Sequence, residues 1–282
     1  MIRIGISKKG VNKMAKRKTQ LTEKKIAEME KEGRGQGTGE HYKPWINIQD
    51  FPSNGLATRG KGWKTNRIHQ FLSKLERDYF YLLEWNPSVV DIREQFPLIR
   101  EDTFYIAEGK GIKHPTDPTS QIPIVMTTDF LITLSNSEGT THVARTIKPS
   151  KELENERIIE KFEIECTYWE ERGIDWGIIT EKELPRNMIE NVEWLHSSYF
   201  EIEDLPRSAL ETYTQKMKTF IKSCNTSIIE MVTKFDKTFQ LENGMGLEIL
   251  KHLIARQELP VNINQKIYTH LWVEDVFKLD SK

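Results

Sequence analysis

Between Val125 and Lys148 the chain reads VMTTDFLITLSNSEGTTHVARTIK, two apolar stretches alternating with a period of two across a polar turn. That period predicts a pair of strands, with SNSEG supplying the turn chemistry. Met126, Thr128, Phe130, Ile132 and Leu134 fall on one face of the first strand, and Val125, Thr127, Asp129, Leu131 and Thr133 on the other. On the return strand Val143, Arg145 and Ile147 point one way, and Ala144, Thr146 and Lys148 the other. Upstream, Leu72, Leu75, Tyr79, Leu82 and Leu83 recur at helical spacing, with Glu76 on the border of the stripe. This predicts a helix over 72–85, halted by Pro87. VVDIREQFPL follows as a strand whose pattern Arg93, Glu94 and Gln95 interrupt, and GIKHPTDP reads as a loop.

After Pro149, a stripe of Leu153, Ile158, Phe162, Cys166 and Trp169 predicts a helix over 151–172 ended by Gly173. DWGIIT reads as a buried strand, and Thr180 with Glu183 as a capping box opening the next helix. Strand and helix alternating after a hairpin indicate an α/β sheet. At the other end, Thr22 caps a helix running to Glu32, and GRGQGTG (33–39) reads as a flexible link. No strand–helix unit and no GK[ST] follow it, so it is not a phosphate-cradling loop. From residue 205 helical periodicity dominates through SALETYTQKMKTFIKSC, TSIIEMVTKFDKTF and GLEILKHLIARQ. QKIYTHLWVEDVF then reads as a strand or hairpin. Three helices and a wing-like strand pair suggest a small winged-helix-like domain, suited to docking DNA or a protein.

At 282 residues the chain exceeds a typical single domain, and 37% apolar content with twelve Phe and seven Trp suffices for two cores. We read a basic arm over 1–31, an α/β domain over 32–200 and a helical domain over 205–282. Met14 offers an alternative native start. No long apolar stretch suggests a signal peptide or a membrane span. Cys166 and Cys224 lack any CxxC spacing, which excludes a zinc or redox motif and favours a reducing cytoplasm.

The net charge of −1 conceals strong segregation. Residues 1–34 carry eleven Lys and Arg against four Glu, while residues 151–204 carry sixteen Asp and Glu against six Lys and Arg. The basic arm suits phosphate, or is a solvated tail. The acidic segment repels DNA and must face away from it or toward a protein. Candidate phosphate contacts are Arg34 in the glycine-rich link, Lys61, Lys64 and Arg67 around Trp63, and Lys113 and His114 in the GIKHP loop.

Asp129 on a strand face shared with Leu131 is an unusual place for a charge. An exposed sheet face with an Asp129–Lys148 cross-strand pair explains it without chemistry. The alternative is a metal-dependent nuclease core built from Glu76 on its helix, Asp129 and Lys148. Phosphodiester hydrolysis needs carboxylates to hold Mg²⁺, which activates water and neutralises phosphorane charge, and it benefits from a nearby lysine.

An ordered set of short words separates these readings: EGRGQG (32–37), HYKPW (41–45), LSKLE (72–76), LEW (83–85), DIREQFPL (91–98), GIKHP (111–115), TDFL (128–131), IKP (147–149), YW (168–169) and NVEWL (191–195). Together they resemble TnsA, the endonuclease subunit of bacterial heteromeric cut-and-paste transposases. The resemblance implies a restriction-endonuclease-like α/β mixed-sheet core with an active site of Glu, Asp, Gln and Lys. Glu76 then falls on the helix carboxylate, Asp129 on the central metal ligand and Lys148 on the lysine. Thr146 stands where the family has Gln, offering a neutral oxygen to the metal. The resemblance further implies Mg²⁺, replaceable by Mn²⁺, and cleavage of the 5′ strands of double-stranded DNA at transposon ends. It also implies a DDE-type, TnsB-like partner subunit and a TnsC-like ATPase regulator met through the C-terminal region. A stand-alone restriction-like nuclease and a non-catalytic adaptor whose site has decayed at Thr146 remain as alternatives.

Overall fold

The computed structural model describes residues 20–50, 57–200, 202 and 205–277. Most of the basic arm therefore lies outside the described residues, and its expected DNA contact with it. The first element among the described residues is α1 (Glu23–Lys31), where the Thr22 side chain accepts from the Lys25 amide as an N-cap. The glycine-rich segment expected to be a flexible link is instead packed against the sheet. Gly35 has a φ of +77°, and a Cβ there would come within 2.2 Å of the Pro97 ring. Gly37 has a φ of +89° and approaches the His41 carbonyl too closely for any side chain.

A two-stranded antiparallel hairpin follows, β1 (Thr58–Lys61) and β2 (Ile68–Phe71). Ser73 then caps α2 (Lys74–Trp85). The main sheet has the order β3 (Val89–Pro97), β4 (Thr127–Asn136), β5 (Gly139–Ile147), β6 (Asp175–Ile179). The first three strands are antiparallel neighbours and β6 runs parallel to β5, so the sheet is mixed. The parallel step needs a crossover, which α4 (Glu156–Glu170) provides. Asn136 closes the β4–β5 turn by accepting from the Glu138 and Gly139 amides at 2.9 and 3.1 Å.

Both faces of this sheet are covered. Phe130, Ile132 and Ile147 pack on one side with Phe71, Phe80 and Leu83 from β2 and α2. Leu131 and Ala144 pack on the other with Ile164, Tyr168 and Trp169 of α4 and with Ile106 of α3 (Arg100–Gly109). A solvent-facing side at Leu131, which would have explained Asp129 without chemistry, does not exist. The α3 segment REDTFYIAEG has no clean apolar stripe, so periodicity does not predict it. It leaves Phe104 and Tyr105 exposed.

The buried stripe of α2 is rotated from the expected one, running through Glu76, Phe80, Leu83 and Glu84. The α4 stripe is likewise shifted to Phe162, Ile164, Glu165, Tyr168 and Trp169. Glu84 of α2 and Glu165 of α4 take core-facing positions because distant groups donate to them there, the Trp63 amide to the first and the Thr128 and Thr146 hydroxyls to the second. Glu76 is held by donors in its own first turn.

Beyond β6, Glu183 does bond the Thr180 amide and hydroxyl, but α5 (Arg186–Leu195) starts only after Pro185. Then come α6 (Arg207–Ile221), α7 (Ile228–Phe239) and α8 (Met245–Ala255). Their shared core includes Val192 and Leu195 of α5 and Trp63 from the hairpin connection. The expected wing is reduced to isolated bridges, Ser227 with Trp272 and Val261 with Phe277, beside the four-residue α9 (Val273–Val276).

Candidate active site

Three separate elements bring charged side chains to one end of the sheet. Glu76 sits in the first turn of α2, where its carboxylate accepts from the Leu72 amide and the Ser73 hydroxyl, both at 2.9 Å. These bonds hold it inward with only 7% of its surface exposed. Asp129 lies near the start of β4, opposite Gln95 of β3. Its Oδ2 accepts from the Ile147 amide of β5 at 2.7 Å, and its Oδ1 from the Gln95 amide group at 3.1 Å. The β5 backbone thus donates to a side chain where a regular ladder would offer it a carbonyl.

Burial pushes the Glu76 pKa up to about 8, and the neighbouring Asp129 charge adds to the rise. Asp129 is raised as well, chiefly by burial, against the opposing pull of its hydrogen bonds and Lys148. Two neighbouring carboxylates, Glu76 buried and Asp129 half-buried, both with raised pKa values, form a centre short of positive charge. Such a pair fits a hard divalent cation, which commonly takes one or two protein carboxylates and completes its shell with water and substrate phosphate. Among the described residues no cluster of three or more acidic, His or Cys side chains forms a protein-only metal cage.

Lys148 follows directly on β5 and sits near both carboxylates, where its charge partly opposes the rise in their pKa values. Its ammonium rests 3.3 Å from Glu152 and remains partly exposed. Thr146 takes a different place from the one expected. Its hydroxyl donates to Glu165 Oε1 and accepts from the Trp176 ring N–H at 3.3 Å, so it holds a neighbouring carboxylate instead of offering an oxygen to a cation. Glu165 also accepts from the Thr128 hydroxyl at 2.6 Å. It is 3% exposed, and burial raises its pKa to about 7.

Sequence reasoning missed Glu165 and Gln95 as members of this cluster. Gln95 has a φ of +48°, a conformation non-glycine residues rarely adopt, and it points its amide at Asp129. Thr127 donates its hydroxyl in turn to the Gln95 side-chain Oε1 at 3.3 Å. The available signals were the break in the apolar pattern at 93–95 and a single charge inside the FEIEC run.

Most of the expected phosphate contacts have other roles. Arg34 is bound to Asp50, Glu32 and the Trp45 carbonyl, with its side chain 13% exposed. Arg67 is buried on Glu94 and the Ile92 carbonyl. His114 is buried between the Thr103 hydroxyl and the Pro115 carbonyl, both at 3.0 Å, and burial lowers its pKa. These three side chains are consumed by protein partners and are not free for DNA. Lys64 is half-buried beside Glu84, and burial lowers its pKa. Lys113 is exposed, and Lys61 is exposed with its ammonium 4.2 Å from the Phe200 ring centre.

Comparison with known proteins agrees with this geometry. The family described as "TnsA-like endonuclease N terminal" matches residues 86–181, and "TnsA endonuclease C terminal" matches residues 183–263. The chain is 38% identical over 250 residues to "Transposon Tn7 transposition protein TnsA" of Escherichia coli, covering 89% of this chain and 90% of that relative. An α/β mixed sheet, a carboxylate pair at its end and similarity along nearly the whole length lead to one conclusion: the chain belongs to the TnsA family of transposition endonucleases.

Proposed function

We propose that Glu76, Asp129 and Lys148 form the catalytic centre with which this protein hydrolyses the 5′ strands at transposon ends. The observation that carries this reading is the pair of adjacent carboxylates with raised pKa values, with Lys148 beside them. Glu76 and Asp129 would hold the divalent cation, Mg²⁺ with Mn²⁺ as a substitute. When bound there, such an ion lowers the pKa of a water and neutralises charge on the phosphoryl oxygens. Gln95 and the Ile147 amide fix the Asp129 carboxylate in one orientation, as partners behind a metal ligand do. Lys148 leaves Glu152 to meet the scissile phosphate and stabilise the charge that develops there. Glu165, held by Thr128 and Thr146, keeps the start of β4 and the end of β5 against α4.

In the same reading a DDE-type, TnsB-like subunit cuts the 3′ strands, and a TnsC-like ATPase regulator meets the helical part over 205–282. The division of the described chain into parts 32–200 and 205–282 belongs to the proposal too. Within it α5 packs with the C-terminal helices and would bind the two parts together. Cys166 and Cys224 are free thiols, as suits a reducing cytoplasm. Among the described residues no helix is long and apolar enough to cross a membrane.

The test is to incubate the purified chain, its cognate DDE partner and transposon-end DNA with Mg²⁺ or Mn²⁺, comparing wild type with Asp129→Ala. Metal-dependent 5′-strand cleavage that the variant lacks is the expected result. Intact 5′ strands beside cut 3′ strands in the wild-type reaction would overturn it and favour an adaptor.

A further inference from the structure

We propose that Lys161 is a second phosphate-binding lysine of this nuclease, gripping a backbone phosphate that flanks the cleaved bond while Lys148 meets the scissile one. The inference rests on the catalytic reading above and adds a residue that neither the sequence patterns nor the family match assigns. Its basis is the way α4 returns along β5. The hydrogen bond from Thr146 to Glu165 fixes those two residues at one level. From Thr146 to Lys148 the strand advances two residues, about 6–7 Å. From Glu165 back to Lys161 the helix retreats four residues, about 6 Å. Since the chain reverses through the turn at Ser150–Glu154, both steps run toward the same end of the sheet. Ala144, Thr146 and Lys148 alternate onto the α4 side, where Ala144 packs with Ile164 and Tyr168. Lys161 and Lys148 therefore arrive at one level, on one side of the sheet, at the end that holds Asp129.

The electrostatics agree with that placement. Lys161 is half-buried, and burial followed by the like charges of Arg157 and Lys148 lowers its pKa. Its neighbours are already satisfied: Arg157 bonds Glu160 and the Lys113 carbonyl, and Lys148 pairs with Glu152. Among the described residues Lys161 alone of these three has no carboxylate partner. A partly desolvated ammonium facing two other cations is an unfavourable arrangement that an anion relieves. The anion delivered to this end of the sheet by the family's reaction is the DNA backbone, and a lysine binds phosphate as a compact point charge.

The experiment compares wild type, Lys161→Ala and Lys161→Arg in the full chain with its DDE partner, on end DNA carrying one neutral methylphosphonate at successive positions around the cut. Lys161→Ala is expected to lower kcat/KM about 10–100-fold, the range for a charge-assisted contact, and Lys161→Arg to recover most of it. A methylphosphonate at one flanking position should slow wild type by that factor and add nothing in Lys161→Ala. The Tm of Lys161→Ala should hold or rise, because a repelled charge has been removed. Cleavage by Lys161→Ala within about twofold of wild type, or full additivity at every flanking phosphate, overturns the proposal. A separate readout is end-DNA affinity against salt in the Asp129→Ala background. Losing the Lys161 contact should reduce the slope of log K on log salt by about one. Should wild type fail to cleave, the catalytic reading falls, while an unchanged salt slope would independently remove Lys161.

Discussion

Glu94 and Glu76 are both buried carboxylates reached by the same small hairpin–helix unit, and they are treated in opposite ways. Glu94 has no exposed surface and receives Arg67, the His69 ring nitrogen at 2.9 Å and the Gln70 amide at 3.1 Å. Burial alone would raise its pKa, but His69 and Arg67 outweigh it and hold the group far below the usual range. The Thr65 hydroxyl completes the network on the far His69 nitrogen at 2.7 Å. Glu76 has a backbone amide, a serine hydroxyl and another carboxylate for company, and its pKa rises to about 8. One centre is closed, with its charge balanced inside the protein. The other is open, its two carboxylates keeping raised pKa values despite Lys148, and on the proposed reading a divalent cation balances them. The successive residues Glu94 and Gln95 of β3 serve one centre each, and the positive φ at Gln95 accompanies that split.

The sharpest way to break the contrast is to remove charged groups from each centre in turn. Asp129→Ala and Lys148→Ala should each cut 5′-strand cleavage by at least about 10²–10³-fold, the size of losing one preorganised electrostatic contact. Both variants should keep a wild-type circular dichroism spectrum. Glu94→Ala should instead cost about 3–5 kcal/mol in denaturant unfolding, because Arg67 is left buried without its partner. A Glu94→Ala protein as stable as wild type would remove the distinction.

Metal and pH sharpen it further. Mn²⁺ at about 100 times its Kd should stabilise the protein by about 2.7 kcal/mol, and Asp129→Ala should show no such gain. In metal-free protein, the raised pKa values of Glu76 and Glu165 mean that the folded state binds more protons than the unfolded chain. The stability they contribute is complete below about pH 4.5 and is lost as pH rises toward about 8. Metal-free thermal melts should therefore fall across that window, with a shallower decline in Glu76→Gln, while the gain from Mn²⁺ grows as protons leave. A flat metal-free profile would contradict the open centre. The smallest effect expected is at Arg34. Arg34→Ala should lose about 1–3 kcal/mol of stability through its charged hydrogen bonds and leave the salt dependence of DNA binding unchanged. A reduced salt slope in that variant would return Arg34 to the DNA surface.

The strands, the hairpin turn and the helices of the last third were legible because each follows a period set by its own backbone. Asp129 and Lys148 stood out as charges in apolar strands, and the ordered words from EGRGQG to NVEWL carried the family. Much of the site's support was illegible for a common reason. Glu165 occupies the inward side of α4 beside Trp169, a position a sequence pattern assigns to an apolar residue. Thr128 and Thr146 from two different strands make it tolerable there. Arg34, Arg67 and His114 failed as phosphate contacts for the converse reason, since each has a partner 11 to 27 residues away that no local pattern reveals.

The sequence by itself determined most of the elements, the mixed α/β class and the identities of the candidate acids and lysine, because periodicity and short words are local properties. Only the tertiary structure decided which charges are balanced and which are left open. That depends on which groups separate segments bring within hydrogen-bonding distance, and so on how far each buried charge is compensated.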